Sequence, residues 1–175
     1  NMKRQYPKIY QECFLLLNNE AHSRTVNPED IIIYTDGACP NNGRSNAKAG
    51  IGVYFSPQNI EHYENVSEPL LGKQTNQRAE LSAILRAVSL TQSSPRYVHI
   101  YTDSQYSIDA ITKWYPNWVK KNTLDKKNVD IISQIYDIYS IKSFSLHHVY
   151  SHTNLTDIHS EGNKQADLLA RSSII

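Results

Sequence analysis

Four acidic side chains stand in contexts that can bring carboxylates together. Asp36 ends the apolar run Ile31-Ile32-Ile33-Tyr34-Thr35, and Asp103 ends a second, Val98-His99-Ile100-Tyr101-Thr102. Glu80 falls in the first turns of a predicted helix, within Thr75-Asn76-Gln77-Arg78-Ala79-Glu80-Leu81. Asp167 follows Gly162-Asn163-Lys164-Gln165-Ala166 near the C-terminus. Two strand ends and two helices can deliver these groups to one point. Carboxylates that close repel one another unless hard cations hold them. An all-oxygen set favours Mg²⁺, with Mn²⁺ as a substitute, over softer metals. Two such ions about 4 Å apart activate a water and stabilise a leaving alkoxide in phosphodiester hydrolysis. Singly, each acid also reads as a turn residue or a solvated helix residue, since Thr-Asp-Gly and Thr-Asp-Ser are good turn sequences. The case rests on four of them in one chain.

The elements that must position these acids read as a mixed α/β fold. Ile31 to Thr35 is a buried strand, nearly all apolar. Pro40 to Lys48 is a Gly/Asn-rich turn, and Ala49 to Phe55 and Ile60 to Val66 read as strands joined near Pro57-Gln58-Asn59. Thr75 is the N-cap of a helix running to Leu90, with Leu81, Ile84, Leu85 and Val88 on one apolar face. Tyr97 to Thr102 is a fourth strand. Ser104 to Thr112 and Trp114 to Lys121 are short helices. Asn128 to Tyr139 is a longer one, with Val129, Ile132, Ile135, Ile138 and Tyr139 facing the core. Ser143 to Val149 is a fifth strand, Ser151 to Ser160 a polar loop, and Glu161 to Arg171 the closing helix. Three strands, then alternating helices and strands, give a five-stranded mixed sheet with helices on both faces. Residues 1–29 read as an N-terminal extension, in which Tyr10 to Leu17 forms a short helix or strand and Asn27-Pro28-Glu29-Asp30 a turn. Residues 30–175 read as the domain.

The chain has 175 residues, enough for one domain with a core, and its 39% hydrophobic content is ordinary for a soluble protein. No run approaches a membrane span, so no membrane association is expected. The net charge is +1, so a basic surface has to be local, and Lys120, Lys121, Lys126 and Lys127 cluster in sequence. Cys13 and Cys39 have no metal-binding spacing, and a reduced intracellular setting, cytoplasm or nucleus, is expected.

The segments TDGACPNNGR, TNQRAEL, YTDSQYSIDAITKW and GNKQADLLA, in this order, resemble type 1 ribonuclease H. The resemblance runs from Ile31 to the end of the chain. It implies the ribonuclease H-like fold and hydrolysis of the RNA strand of RNA–DNA hybrids, leaving 5′-phosphate and 3′-hydroxyl ends. It implies that Asp36 bridges two Mg²⁺ ions, that Asp167 helps hold the ion that activates water, and that Glu80 and Asp103 help hold the other. His152, at the head of the loop before the last helix, resembles the family's proton shuttle, and its ordinary pKa suits that work. His147, His148 and His159 compete with it. The stretch from His152 to Gly162 is longer than the family pattern, so His159 is the alternative.

Recognition is implied by further matches. Cys39, Asn42, Asn76 and Gln77 look like the groups that sense RNA 2′-hydroxyls. Tyr106, Trp114 and Trp118 resemble the DNA-strand channel, and Lys73, Thr75 and Asn128 its phosphate pocket. Lys73 stands where arginine is common, which removes a bidentate phosphate contact. The stretch from Trp118 to Asn128 is shorter than in members with a full basic protrusion, while the four lysines keep its charge. Asn42 has a plain competing reading in the Asn-Gly turn, and the tryptophans one in core packing. A ribonuclease H domain of a reverse transcriptase and a hybrid-binding module without activity are the rival functions. The length, the lysines and Met2 weigh against the first, and the intact acids against the second. The expected partner is an RNA–DNA hybrid, bound by a monomer.

Overall fold

The computed structural model describes residues 25–151 and 157–174. The extension up to residue 24, including the Tyr10 to Leu17 element and Cys13, lies outside the described residues, as does His152. Five strands form one sheet: β1 (Ile31–Ala38), β2 (Gly50–Phe55), β3 (Val66–Pro69), β4 (Val98–Thr102) and β5 (Phe144–His148). Their order is β3-β2-β1-β4-β5. The pairs β1–β2 and β2–β3 are antiparallel, and β1–β4 and β4–β5 are parallel. The sheet is therefore mixed, as the sequence pattern implies. Among the described residues, no helix is long and apolar enough to cross a membrane.

Helices cover both faces, which explains why β1 reads as a continuous apolar run and not an alternating one. Ile31 and Ile33 join the main core with Leu81, Ile84, Ile100, Ile132 and Leu146. That core lies under α1 (Asn76–Thr91) and α4 (Val129–Ile141). Tyr34 on the opposite face packs with Tyr101, Val149 and Ala166 under α5 (Ile158–Ser172). The N-cap of α1 is Thr75, whose Oγ1 accepts from the amide of Arg78 at 3.1 Å. A cap of this kind stabilises a helix by about 1 kcal/mol.

Four expectations need correction. The segment Ile60–Val66 is not a strand. The third strand begins only at Val66. Asparagine side chains occupy the strand ends here: Asn59, past the end of the β1–β2 ladder, accepts through Oδ1 from Ile32 N at 2.9 Å while its Nδ2 donates to Ile32 O at 3.0 Å. Asn65 Oδ1 accepts from Phe55 N at 2.9 Å. Second, Ser104–Thr112 is not one helix. A short α2 (Gln105–Asp109) runs into a π-helical turn over Ala110–Trp114 and then α3 (Tyr115–Lys120). Third, α4 turns Ile131 and Tyr136 into the core and leaves Val129 and Ile138 only partly buried. Fourth, Ile158, His159 and Ser160 belong to α5, because Asp157 caps it: its carboxylate accepts from the Ser160 hydroxyl at 2.6 Å and the Ser160 amide at 3.4 Å.

Candidate active site

Two close approaches bring the acids together. Gly37 follows Asp36 on β1 and lies against α1. A Cβ added there would stand 2.5 Å from Ala79 C and from Glu80 N. Only glycine lets the helix come this close, and the Gly37 amide then donates directly to the Glu80 carboxylate. On the other face, Asp36 pairs across the strands with Gly52. A Cβ on Gly52 would meet Ala166 O at 2.2 Å and Ala170 N at 2.6 Å. Directly paired residues share a face of the sheet, so α5 presses down beside Asp36 and brings Asp167 with it. Asp103 follows Thr102, which pairs with Thr35, so it emerges next to Asp36.

Ligand atoms of Asp36, Glu80 and Asp103 all lie within 4.8 Å of one another. Asp36 and Glu80 are buried. Burial first, then the Asp103 charge, pushes the Asp36 carboxyl up to about 8. Burial and the charges of Asp36 and Asp103 hold Glu80 well above the ordinary carboxylate range. These groups resist ionising together without a counter-charge. An all-carboxylate set under that repulsion fits a hard divalent cation.

Asp167 borders Asp36 without joining the three-carboxylate cluster. Its carboxylate faces Arg171, one turn on, with Nη2 to Oδ2 at 2.9 Å and Nε to Oδ1 at 3.2 Å. It remains close enough to Asp36 to contribute to its raised pKa. The Arg171 side chain is mostly exposed. Helical i,i+4 pairs contribute only about 0.3–0.5 kcal/mol, so Arg171 by itself does little to keep Asp167 from the cluster, and the repulsion among the carboxylates is what a bound cation would have to offset.

The candidate substrate groups fall on two connected surfaces. Asn42, Lys73, Thr75, Asn76 and Gln77 line one open groove at the start of α1, together with Arg44. Asn42 Oδ1 accepts from the Asn76 amide at 3.0 Å, so the Asn-Gly turn is tied to the helix. In that turn Asn41 and Gly43 have φ of 62° and 84°. Cys39 is half-buried, a free thiol whose carbonyl accepts from the Asn42 amide. The second surface starts at Tyr106, whose hydroxyl accepts from Asn128 Nδ2 at 2.8 Å and whose ring meets Trp114 edge-on. Trp114 is 37% exposed, and Trp118 beside it is half-buried against the core. Lys120, Lys121, Lys126 and Lys127 are exposed around the turn between α3 and α4.

The competing histidines have other engagements. His159 Nδ1 lies 2.9 Å from the Tyr34 hydroxyl, its ring stacks on Tyr101 at 4.3 Å, and burial lowers its pKa. His147 stacks on Tyr101 at 4.6 Å and lies 3.0 Å from His99 Nδ1. Buried His99 in turn meets the Asp30 carboxylate at 2.8 Å. Sequence reading assigned Asp30 only to a turn and did not weigh His99. Their pairing depends on strand register, which the sequence does not display. Arg44 and Arg78 were also passed over, although both stand inside the segments that carry the resemblance.

A mixed sheet whose central parallel pair ends in carboxylates, with helices on both faces, defines the ribonuclease H-like class. The ribonuclease H family model matches residues 28–175, and the chain belongs to that family. It is 38% identical over 163 residues to ribonuclease H of Schizosaccharomyces pombe, covering 89% of this chain and 58% of that protein. It is 36% identical over 151 residues to ribonuclease H1 of Rattus norvegicus, covering 82% of this chain and 50% of the relative. The chain thus spans roughly half the length of these relatives. The solution structure of the PFV RNase H domain superposes with a TM-score of 0.70 at 27% identity, over 84% of this chain and 95% of the other.

Proposed function

We propose that this domain, residues 30–175, hydrolyses the RNA strand of RNA–DNA hybrids as an endonuclease, with divalent cations held by Asp36, Glu80, Asp103 and Asp167. The observation that carries the reading is the convergence of Asp36, Glu80 and Asp103 within 4.8 Å, in a chain of this family. Two Mg²⁺ ions would supply charge neutralisation, an activated water and stabilisation of the leaving oxygen, giving 5′-phosphate and 3′-hydroxyl ends. The chain's own groups do the rest. The Gly37 amide fixes the Glu80 carboxylate. Asn42, Asn76, Gln77 and the backbone at Cys39 read the RNA 2′-hydroxyls. Lys73, Thr75 and Asn128 take a DNA phosphate, and Tyr106, Trp114 and Trp118 pack on deoxyribose. His152 moves protons at the cleavage step. Sequence identity to the Schizosaccharomyces pombe protein, 38%, exceeds the 27% to the PFV domain, which supports a cellular-type enzyme over a reverse-transcriptase domain.

Cleavage of a labelled RNA–DNA hybrid, beside duplex RNA and duplex DNA, tests the reading. Mg²⁺-dependent cutting of the hybrid's RNA alone is expected. Equal cutting of duplex RNA, or binding without cutting, overturns it.

A further inference from the structure

Arg78 sits on the third residue of α1, directly behind the groove, with only 19% of its side chain exposed. Its guanidinium grips the Asp130 carboxylate with both terminal nitrogens, Nη1 to Oδ1 at 3.1 Å and Nη2 to Oδ2 at 2.8 Å. Nη1 also donates to Asn128 Oδ1 at 3.2 Å. Planar two-point pairing of this kind fixes orientation as well as distance, and a lysine ammonium cannot reproduce it.

Asn128 is held in an unusual state. It precedes α4 in the left-handed conformation, with φ 64° and ψ 10°. Asparagine is among the preferred N-caps, a role that uses extended backbone and turns the side-chain oxygen onto the helix amides. Here the side chain makes no capping bond. Its oxygen is engaged by Arg78 and its amide nitrogen donates to Tyr106. Asn128 thus bonds Arg78 and Tyr106 in place of capping its own helix. Through Asn128, Arg78 orients the Tyr106 hydroxyl, and the Tyr106 ring in turn meets Trp114. The Arg78 backbone amide, the N-cap bond any residue here would make, donates to Thr75 Oγ1, which sets Thr75 beside this network.

We propose that Arg78 is a positioning residue whose guanidinium holds Asn128 and Tyr106 beside Thr75 in one preformed surface for the DNA strand of the hybrid. The inference rests on the assignment of those three residues to DNA-strand binding. Its alternative is direct contact between the Arg78 guanidinium and a phosphate. The two differ in what the exposed Asp130 does. If Arg78 acts through the pair, Asp130 assists binding. If Arg78 touches phosphate, Asp130 competes with it.

Hybrid affinity, KM and kcat are measured for Arg78→Lys, Asp130→Asn and Asn128→Ala in the full chain, with melting temperature checked for each. Loss of a charged hydrogen-bond network of this kind is expected to raise Kd and KM about tenfold. Arg78→Lys and Asp130→Asn should both show that rise, with kcat at saturating hybrid within about twofold of the parent. Combined with Asn128→Ala, either should add little, because coupled residues are not additive. Tighter binding by Asp130→Asn overturns the proposal in favour of direct phosphate contact. Unchanged affinity in Arg78→Lys and Asp130→Asn, with Asn128→Ala weakened, overturns it alone. Unchanged affinity in Asn128→Ala overturns the DNA-strand assignment together with the inference. Should Arg78→Lys fail to fold, Asp130→Asn on the exposed side of the pair decides.

Discussion

Asp36 carries an electrostatic cost that a bound proton or a counter-charge removes, and this makes it testable without turnover. Its carboxyl has a folded pKa of about 8 against an ordinary 3.8, through burial and then Asp103. When the folded value is raised, the contribution to stability is full below the unfolded pKa. It is lost as pH rises through the folded one. The metal-free protein should therefore lose stability between about pH 4 and pH 8. Asp36→Asn should flatten that slope. In chelator at pH 8 it should raise Tm by at least about 3 °C, which corresponds to about 1 kcal/mol in a domain of this size. The same variant should abolish cleavage while keeping hybrid affinity, since it removes a ligand and not a substrate contact. Near-parent turnover would sink the metal assignment. Histidine roles divide by the same logic. His159 is committed to Tyr34 and Tyr101, so His159→Ala should lower Tm, whereas His152→Ala should slow turnover about 10²-fold or less without changing Mg²⁺ affinity. The reverse pattern in melting and kinetic assays would exchange the two assignments. At this scale Asp36 and Asp103 stood out in the sequence because each closes an apolar run, and Glu80 because it opens a helix, and these three form the cluster. The turn of Asp167 toward Arg171 was not legible, because a rotamer choice within one helix leaves no trace in periodicity.

The elements hold the acids by close approach, so the most informative element-scale changes are the smallest. Gly52→Ala puts a methyl against α5 backbone at 2.2 Å, where no flexible side chain can give way. The helix must shift away from Asp36. We expect a loss of about 1–3 kcal/mol, as overpacking typically costs, together with a fall in kcat from the displacement of Asp167. A full-activity, full-stability Gly52→Ala protein in urea melts and steady-state assays would show that α5 is not held this way. Asn59→Ala should cost about 1–3 kcal/mol without touching kcat, because it leaves the Ile32 amide without its partner, while Ile32 O keeps the Ser56 amide. Most helices and strands were legible at this scale, since burial of Ile33, Leu81, Ile84 and Ile132 imposes the periods that the sequence displays. Three features were hidden for specific reasons. Side-chain bonds from Asn59 to β1 and from Asn65 to β2 take backbone groups that a strand would otherwise pair, and they obey no period. The π-helical turn at Ala110–Trp114 inserts one residue into a helix whose composition is unchanged. The stacking of Tyr34, Tyr101 and His147 follows from Tyr34 pairing with Tyr101, and Tyr101 with His147, across parallel strands.

At the scale of the molecule, a chain of net charge +1 offers a polyanion only a local surface. Lys120, Lys121, Lys126 and Lys127 are all exposed, and they follow Trp114 and Trp118 in the chain. The groove with Lys73 and Arg44 lies at the start of α1. Two physical mechanisms are thus offered side by side, and salt separates them. A lysine that meets a phosphate releases counterions, so its removal lowers the slope of log affinity against log salt by up to about one unit. Trp114 offers an exposed ring to a sugar, a contact that releases no counterion. Its removal should weaken binding by about 1–3 kcal/mol with the slope unchanged. Hybrid affinity across a salt series should therefore fall in slope for a Lys120→Ala/Lys121→Ala double variant and in level alone for Trp114→Ala. The lysine effect should appear in KM and not in kcat, because these side chains belong to the turn between α3 and α4 and not to the strands that end in Asp36 and Asp103. If the double variant keeps both slope and affinity, the shortened basic stretch is a solvated surface, and hybrid binding rests on the groove at α1 and the aromatic surface alone.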